Sequence, residues 1–184
     1  MSGTTAPDFQ TRGNTVIRFA QDEVFATATD RLPAFTFGKA SNPSGILELD
    51  GHSQTIGSLA AFIGNANTES WNTSLYINSD PAATLTVKNG FGTNKSKKDV
   101  YDGRLLGGVS FKLDGKSGVV ASFSNTVVNA VTQYSTTTGA LICAGGTIRL
   151  LKDCRFTQLS ALRKEGAGNF ELSSAELGDK VDAY

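Results

Sequence analysis

The stretch GILELDGHSQTIGSLA, residues 45–60, decides the fold class. Leu47 and Leu49 alternate with Glu48 and Asp50, so an extended segment there has one apolar and one charged face. Gly51 permits the positive φ that a sharp corner needs. Residues 54–59 return to an extended path, with Ile56 and Leu59 pointing back toward the same core. Gly57 lets the chain bend again. A strand that turns a corner and offers its next apolar residues to one core is a coil of a β-solenoid.

Working outward toward the N-terminus, residues 34–37 (AFTF) form a short strand in which Phe35 and Phe37 share a face. Pro33 marks a turn or strand end before it. Residues 15–19 (TVIRF) form a first strand and residues 24–28 another. Residues 39–44 hold Asn42-Pro43 and read as a turn. Residues 1–13 are expected to be a flexible N-terminus.

Toward the C-terminus, residues 62–72 read as a polar loop. Strands at 75–78 and 83–88 are joined across Ser79-Asp80-Pro81. Residues 105–113 place Val109, Phe111 and Leu113 at period two, a half-buried strand. Further strands are expected at 118–123 and 126–134, rich in β-branched residues. Residues 135–139 (STTTG) read as a turn. Strands at 141–143 and 147–151 bracket Gly145-Gly146, and 156–162 and 170–172 complete the set. Helical turns are conceivable only at 159–164 and 175–180. About a dozen short strands at near-regular spacing indicate an all-β sandwich, barrel or solenoid.

The pattern Leu-x-Leu-x-Gly-x-x-Gln-Thr-Ile-Gly-Ser-Leu over residues 47–59 resembles bacterial autotransporter-associated β-strand repeat proteins. Residues 83–87 (ATLTV), 146–151 (GTIRLL) and 168–172 (GNFEL) fit the same family. The resemblance covers most of residues 14–174. It implies a right-handed parallel β-helix, while the strand pattern alone keeps a β-sandwich as the alternative. It also implies a structural or adhesive module, displayed on a bacterial cell surface or secreted, with no catalytic residue to carry over. Partners would be glycans or host-surface components. Residues 14–174 are expected to form one solenoid domain, and 175–184 a polar tail without a terminal cap. Open solenoid ends expose unpaired backbone and favour self-association.

Composition is consistent with this picture. The chain has 184 residues, 17 Lys+Arg against 17 Asp+Glu, and 18 % charged residues. A typical domain carries about a quarter charged residues, and abundant Ser, Thr, Asn and Gly suit polar-faced strands and turns. Zero net charge gives no basic footprint for nucleic acid. No apolar run is long enough for a transmembrane helix. Residues 1–12 lack the apolar core of a secretory signal, so an exported family member would have this chain as an internal piece.

The chemistry-bearing residues are few. His52 is the only histidine, so any Ser-His-Asp or Cys-His arrangement is built around it. Its place beside Gly51 makes a surface corner residue the ordinary reading. Cys143 and Cys154 flank the Gly145-Gly146 turn. A disulfide and a pair of small buried apolar side chains are the two readings, and the second is favoured. Two cysteines and one histidine make no zinc pattern, and no calcium loop or phosphate-cradling loop is present. No catalytic, metal or cofactor residue is therefore assigned.

Three features remain as candidate contact sites. Trp71 offers a stacking platform, though a ring tucked over a coil edge is the commoner outcome. Lys88, Lys95, Lys97 and Lys98 form a local basic run that suits an acidic glycan or phosphate, with Asp99 and Asp102 following to neutralise it. Lys112, Arg149 and Lys152 stand at candidate outward strand positions. A β-helical enzyme acting on acidic polysaccharides, a lyase or hydrolase, would need such cations gathered in one groove. That enzyme is one alternative function. A phage tail-fibre segment, normally an intertwined trimer, is another.

Overall fold

The computed structural model describes residues 8–10, 16–25, 32–37, 45–61, 75–92, 100–101, 103–124, 126–128, 131–152, 154–173, 176–177 and 182–183. All regular structure among them is β, and nearly all strand pairs are parallel. The chain winds as a parallel β-solenoid, and the parallel stacking excludes the β-sandwich alternative.

The organising stretch makes one coil of three sides. Gly45–Glu48 lies on the first side, Gln54–Ile56 on the second and Ser58–Ala61 on the third. Leu47, Leu49, Ile56 and Leu59 are all fully buried. The corner between the first two sides places both Asp50 and Gly51 at positive φ, 51° and 81°. A Cβ on Gly51 would stand 2.7 Å from Cγ of Pro81, on the corner of the next coil. Gly57 is required by close approach instead: a Cβ there would lie 2.6 Å from the carbonyl oxygen of Leu32. The amide of Gly57 donates to Pro33 O at 2.8 Å, so this bend rests on the coil below.

Each side repeats as a ladder of aligned residues. On side one the inward column runs Ile17, Leu47, Ile77 and Leu105. It continues through Ser135 and Phe156, and Leu177 is paired with Phe156 on the next strand. On side two it runs Gln54, Leu85, Phe111, Leu141 and Leu162. On side three Phe9, Phe35, Leu59 and Phe91 lead toward Ala121, Ile148 and Phe170. Apart from Gln54 and Ser135, apolar residues stack on apolar residues, which buries a continuous core that no single coil could close alone.

Aromatic rings fill the wide parts of that core. Phe123 sits against Phe91, Phe111, Phe156 and Tyr101, with ring centroids 5.0, 5.0, 5.8 and 6.3 Å away. The edge-on arrangement of these pairs matches the favoured geometry of ring quadrupoles. At the N-terminal end Phe9 stacks on Phe35 at 5.0 Å, and Phe19 and Phe25 close around them.

Several expectations need correction. The turn expected at 135–139 is confined to a bend at 138–139. Ser135 and Thr137 are buried, and the segment holds the side-one ladder through Thr136 N to Leu105 O and Thr138 N to Gly107 O. Its hydroxyls satisfy the backbone from inside, so polar residues can occupy a core rung. Residues 126–134 are not one strand: Thr126–Val128 and Val131–Gln133 pair antiparallel as a hairpin. Ala161–Lys164 and Glu176–Leu177 are strands rather than helical turns. Val24 and Phe25 lie in a turn, while residues 26–28 of that expected strand fall outside the described residues. Residues 79–81 do not separate two strands, because Leu75–Val87 runs through them with a register shift between Ser79 and Ala83.

The expected termini also contribute strands. Asp8–Gln10, within the segment read as a flexible N-terminus, pairs in parallel with Ala34–Phe37. Glu176–Leu177 and Asp182–Ala183, within the expected polar tail, pair with Arg155–Phe156 and Ala161–Lys164.

Candidate functional site

In a strand, residues that alternate with the core point outward, and parallel register stacks them into outward columns. Side one carries the most distinctive of these. Val16, Ile46, Tyr76 and Arg104 are aligned on successive strands. Tyr134 and Arg155 precede the core residues Ser135 and Phe156 of the next two rungs and continue the column. The guanidinium carbon of Arg104 lies 5.6 Å from the Tyr76 ring centre, and that of Arg155 lies 4.7 Å from the Tyr134 ring centre. Both distances fall within the range of cation–π attraction.

A second outward column runs beside it through Arg18, Glu48, Asn78 and Leu106. Asn78 Nδ2 donates to Glu48 Oε2 at 2.9 Å. From Tyr76 onward the first column alternates Tyr and Arg, while Val16 and Ile46 before it and Leu106 beside it are apolar.

The candidate cations do not converge in a groove. Lys112 lies on side two, in Arg104–Asp114, and bonds Glu165 Oε2 at 2.7 Å. Arg149 lies on side three, in Thr147–Leu150, and its Nε donates to Glu171 Oε2 at 2.6 Å. Lys152 is exposed in the turn beyond that strand. Lys88 pairs with Asp114 of the following coil. Lys95, Lys97 and Lys98, with Asp99 and Asp102, lie outside the described residues, as does Trp71.

His52 is half-buried at its corner, with Nδ1 3.5 Å from Asp22 Oδ1. The same carboxylate accepts from Ser53 N at 2.7 Å. The Ser53 hydroxyl accepts the amide of Thr84 at 3.0 Å, so it ties one coil to the next. This group holds a corner together.

Cys143 and Cys154 are both buried and are not joined by a disulfide. The chain at Gly145-Gly146 turns from side two to side three rather than folding into a hairpin, since Ala140–Gly145 and Thr147–Leu150 belong to different sheets. Burial raises the Cys143 thiol pKa above its ordinary 9.0, against weaker opposing effects of the Ile148 and Asn169 backbone and of Lys164. It therefore stays protonated and a poor nucleophile near neutral pH. Among the described residues no group of three metal-ligating side chains assembles, and no helix is long and apolar enough to cross a membrane.

No protein-family model, curated protein or solved structure matches this chain.

The Tyr–Arg column escaped sequence reasoning because its members are 28, 30 and 21 positions apart. One signal was available. Each of the four stands immediately before a residue that lines the side-one core: Ile77, Leu105, Ser135 and Phe156.

Proposed function

We propose that this chain is a non-catalytic structural and adhesive module, displayed on a bacterial surface or secreted, that makes multivalent contacts through outward columns on its flat sides. One observation supports this most. The side-one strip places Tyr76, Arg104, Tyr134 and Arg155 on successive rungs, giving equivalent contact groups at a regular interval along one axis. Tyrosine and arginine are the side chains that contribute most per contact at recognition surfaces. The resemblance of residues 47–59 to autotransporter-associated repeats supports the surface location.

The terminal strands suit a self-associating module. Val16–Arg18 and Glu176–Leu177 are the first and last described strands of side one. The exposed large apolar side chains among the described residues are Phe9, Val16, Val24 and Leu172, all on outermost strands or the first coil. Parallel edges at opposite ends are complementary, which favours head-to-tail addition of a second copy.

The test is a bead assay. Beads carrying many copies should adhere to a glycan-bearing cell surface much more strongly than single copies bind it. The same protein should leave acidic polysaccharides uncleaved. Release of new chain ends from such a polymer would contradict the reading, as would equal, negligible retention of dense and sparse beads.

A further inference from the structure

We infer that a second copy of this chain docks head-to-tail on side three. Asn169–Leu172 of one copy adds as the next parallel strand beside Asp8–Gln10 of the following copy, with Phe170 stacked on Phe9. This rests on the self-associating module proposed above and names the surface and register by which its copies meet.

The core-facing side chains of the two end rungs carry the inference. Phe9 and Phe170 begin and end one inward column of side three. Phe35, one rung in from Phe9, is 1 % exposed, whereas Phe9 is 39 % exposed. At the other end Leu150 is fully buried, while Leu172, its partner on the last rung, is 54 % exposed. Phe170 is half-buried against the same core. Both strands are also edges of their sheets. Asp8–Gln10 pairs with Ala34–Phe37 and Asn169–Leu172 with Thr147–Leu150, and among the described residues neither has a second neighbour. A copy displaced along the solenoid axis supplies a strand to both edges and a cover to both open rungs, because the rungs between them already stack by one parallel step of about 4.8 Å. An unrelated extended peptide would pair with one edge and leave the other open.

The residues that fall opposite one another suit this register. With Phe170 on Phe9, Asn169 falls opposite Asp8 and Glu171 opposite Gln10. The same step on side one sets Glu176 opposite Val16 and Leu177 opposite Ile17. No two like charges meet at these positions, so nothing in the register repels the second copy. A slip by one residue would set Glu171 on the core-facing position of Phe9, which fixes the alignment. The remaining exposed large apolar side chains among the described residues, Val16 and Val24, also belong to the first coil. Such exposure is therefore confined to the end coils, where a docked copy covers it.

Sedimentation velocity on the full chain tests this. The unaltered chain should pass beyond a dimer as concentration rises, since a head-to-tail contact leaves one end free at every step. F9D and L172D each spoil one end, and each alone should lose at least about tenfold in association constant. Mixing the two restores one junction, because L172D keeps its N-terminal end and F9D its C-terminal end. The mixture should form a one-to-one dimer and stop there. Thermal unfolding of each variant confirms that the fold is kept. A second readout leaves the core side chains untouched. Q10C and E171C, each in a C143A/C154A background, are mixed and oxidised. Opposed positions one rung apart lie within disulfide reach, so this pair should cross-link between copies, and faster than Q10C with N169C.

A chain that stays monomeric at every concentration overturns the inference, as does a dimer that never grows. Unchanged association in F9D or L172D overturns it too, as does a Q10C–E171C pair that cross-links no faster than Q10C with N169C. If dense beads adhere to cells while the chain stays monomeric, this inference fails and the contact-module reading stands. If copies assemble in this register but dense beads adhere no better than sparse ones, the contact-module reading fails instead.

Discussion

The amide of Leu105 donates to the hydroxyl of Ser135 at 3.1 Å, across successive coils and inside the core. A backbone donor on one rung is thus met by a side chain of the next. Thr137 acts likewise: its hydroxyl donates to Val109 O at 2.5 Å and accepts from Gly139 N at 3.0 Å. Ser135 lies where Ile77 and Leu105 fill the same position on earlier coils, whereas Thr137 is aligned with Gly107 and Ser79.

These hydroxyls are expected to be structural. Removing a buried hydrogen-bond partner costs about 1–3 kcal/mol, because the remaining groups lose water without compensation. Thr137→Val keeps the volume and removes the hydroxyl, so urea unfolding should show a loss in that range. A loss below about 0.5 kcal/mol would mean that backbone or water satisfies these groups instead.

The corner at Gly51 makes a second prediction. Its φ of 81° disfavours any residue with a Cβ, and Pro81 blocks the space. Gly51→Ala should destabilise the protein by at least about 1–2 kcal/mol from the left-handed conformation alone. The clash with Pro81 adds to this. A midpoint unchanged in urea would show that the corner relaxes at no cost.

Cys143 gives a pH dependence. Burial is the largest influence on its thiol and raises the pKa in the folded state. The folded protein therefore holds this proton more tightly than the unfolded chain. The resulting contribution to stability is complete below the unfolded thiol's pKa and is lost as pH rises through the folded value. Alkylation by iodoacetamide at pH 7.5 should be slow in buffer and fast in denaturant. A Cys143→Ala variant should flatten the decline in stability above pH 9.0, the ordinary thiol value. Rapid labelling of the native protein at pH 7.5 would contradict the buried placement.

Much of this architecture was legible in residues 45–60. Alternation at Leu47 and Leu49 set the inward face, and Gly51 and Gly57 set the bends. The coil length was hidden. Leu47 follows Ile17 by 30 residues and Ile77 follows Leu47 by 30, but Leu105 follows Ile77 by 28 and Leu177 follows Phe156 by 21. Corners that absorb different lengths of chain erase a fixed period. The rung at Ser135 and Thr137 was hidden for another reason: its composition is that of a turn, and only neighbouring coils reveal that its hydroxyls face inward.

The surface was less legible than the core. Lys112 finds Glu165 at a separation of 53 residues, and Arg149 finds Glu171 across one rung. Such pairs depend on stacking order, which no local pattern encodes. Both are half-exposed, so each contributes little to stability. The Tyr76–Arg104 and Tyr134–Arg155 contacts belong to the same class of relation.

Stacking order is best tested by a distance between two outward residues far apart in sequence. Arg18 and Leu106 lie in one outward column, three rungs apart, so their Cα atoms should be about 14 Å apart. Spin labels at Arg18→Cys and Leu106→Cys, in a Cys143→Ala/Cys154→Ala background, allow pulsed and continuous-wave electron paramagnetic resonance. The account predicts one narrow distribution centred between about 12 and 22 Å once label length is included. A broad distribution, or a centre beyond about 30 Å, would contradict the stacked solenoid.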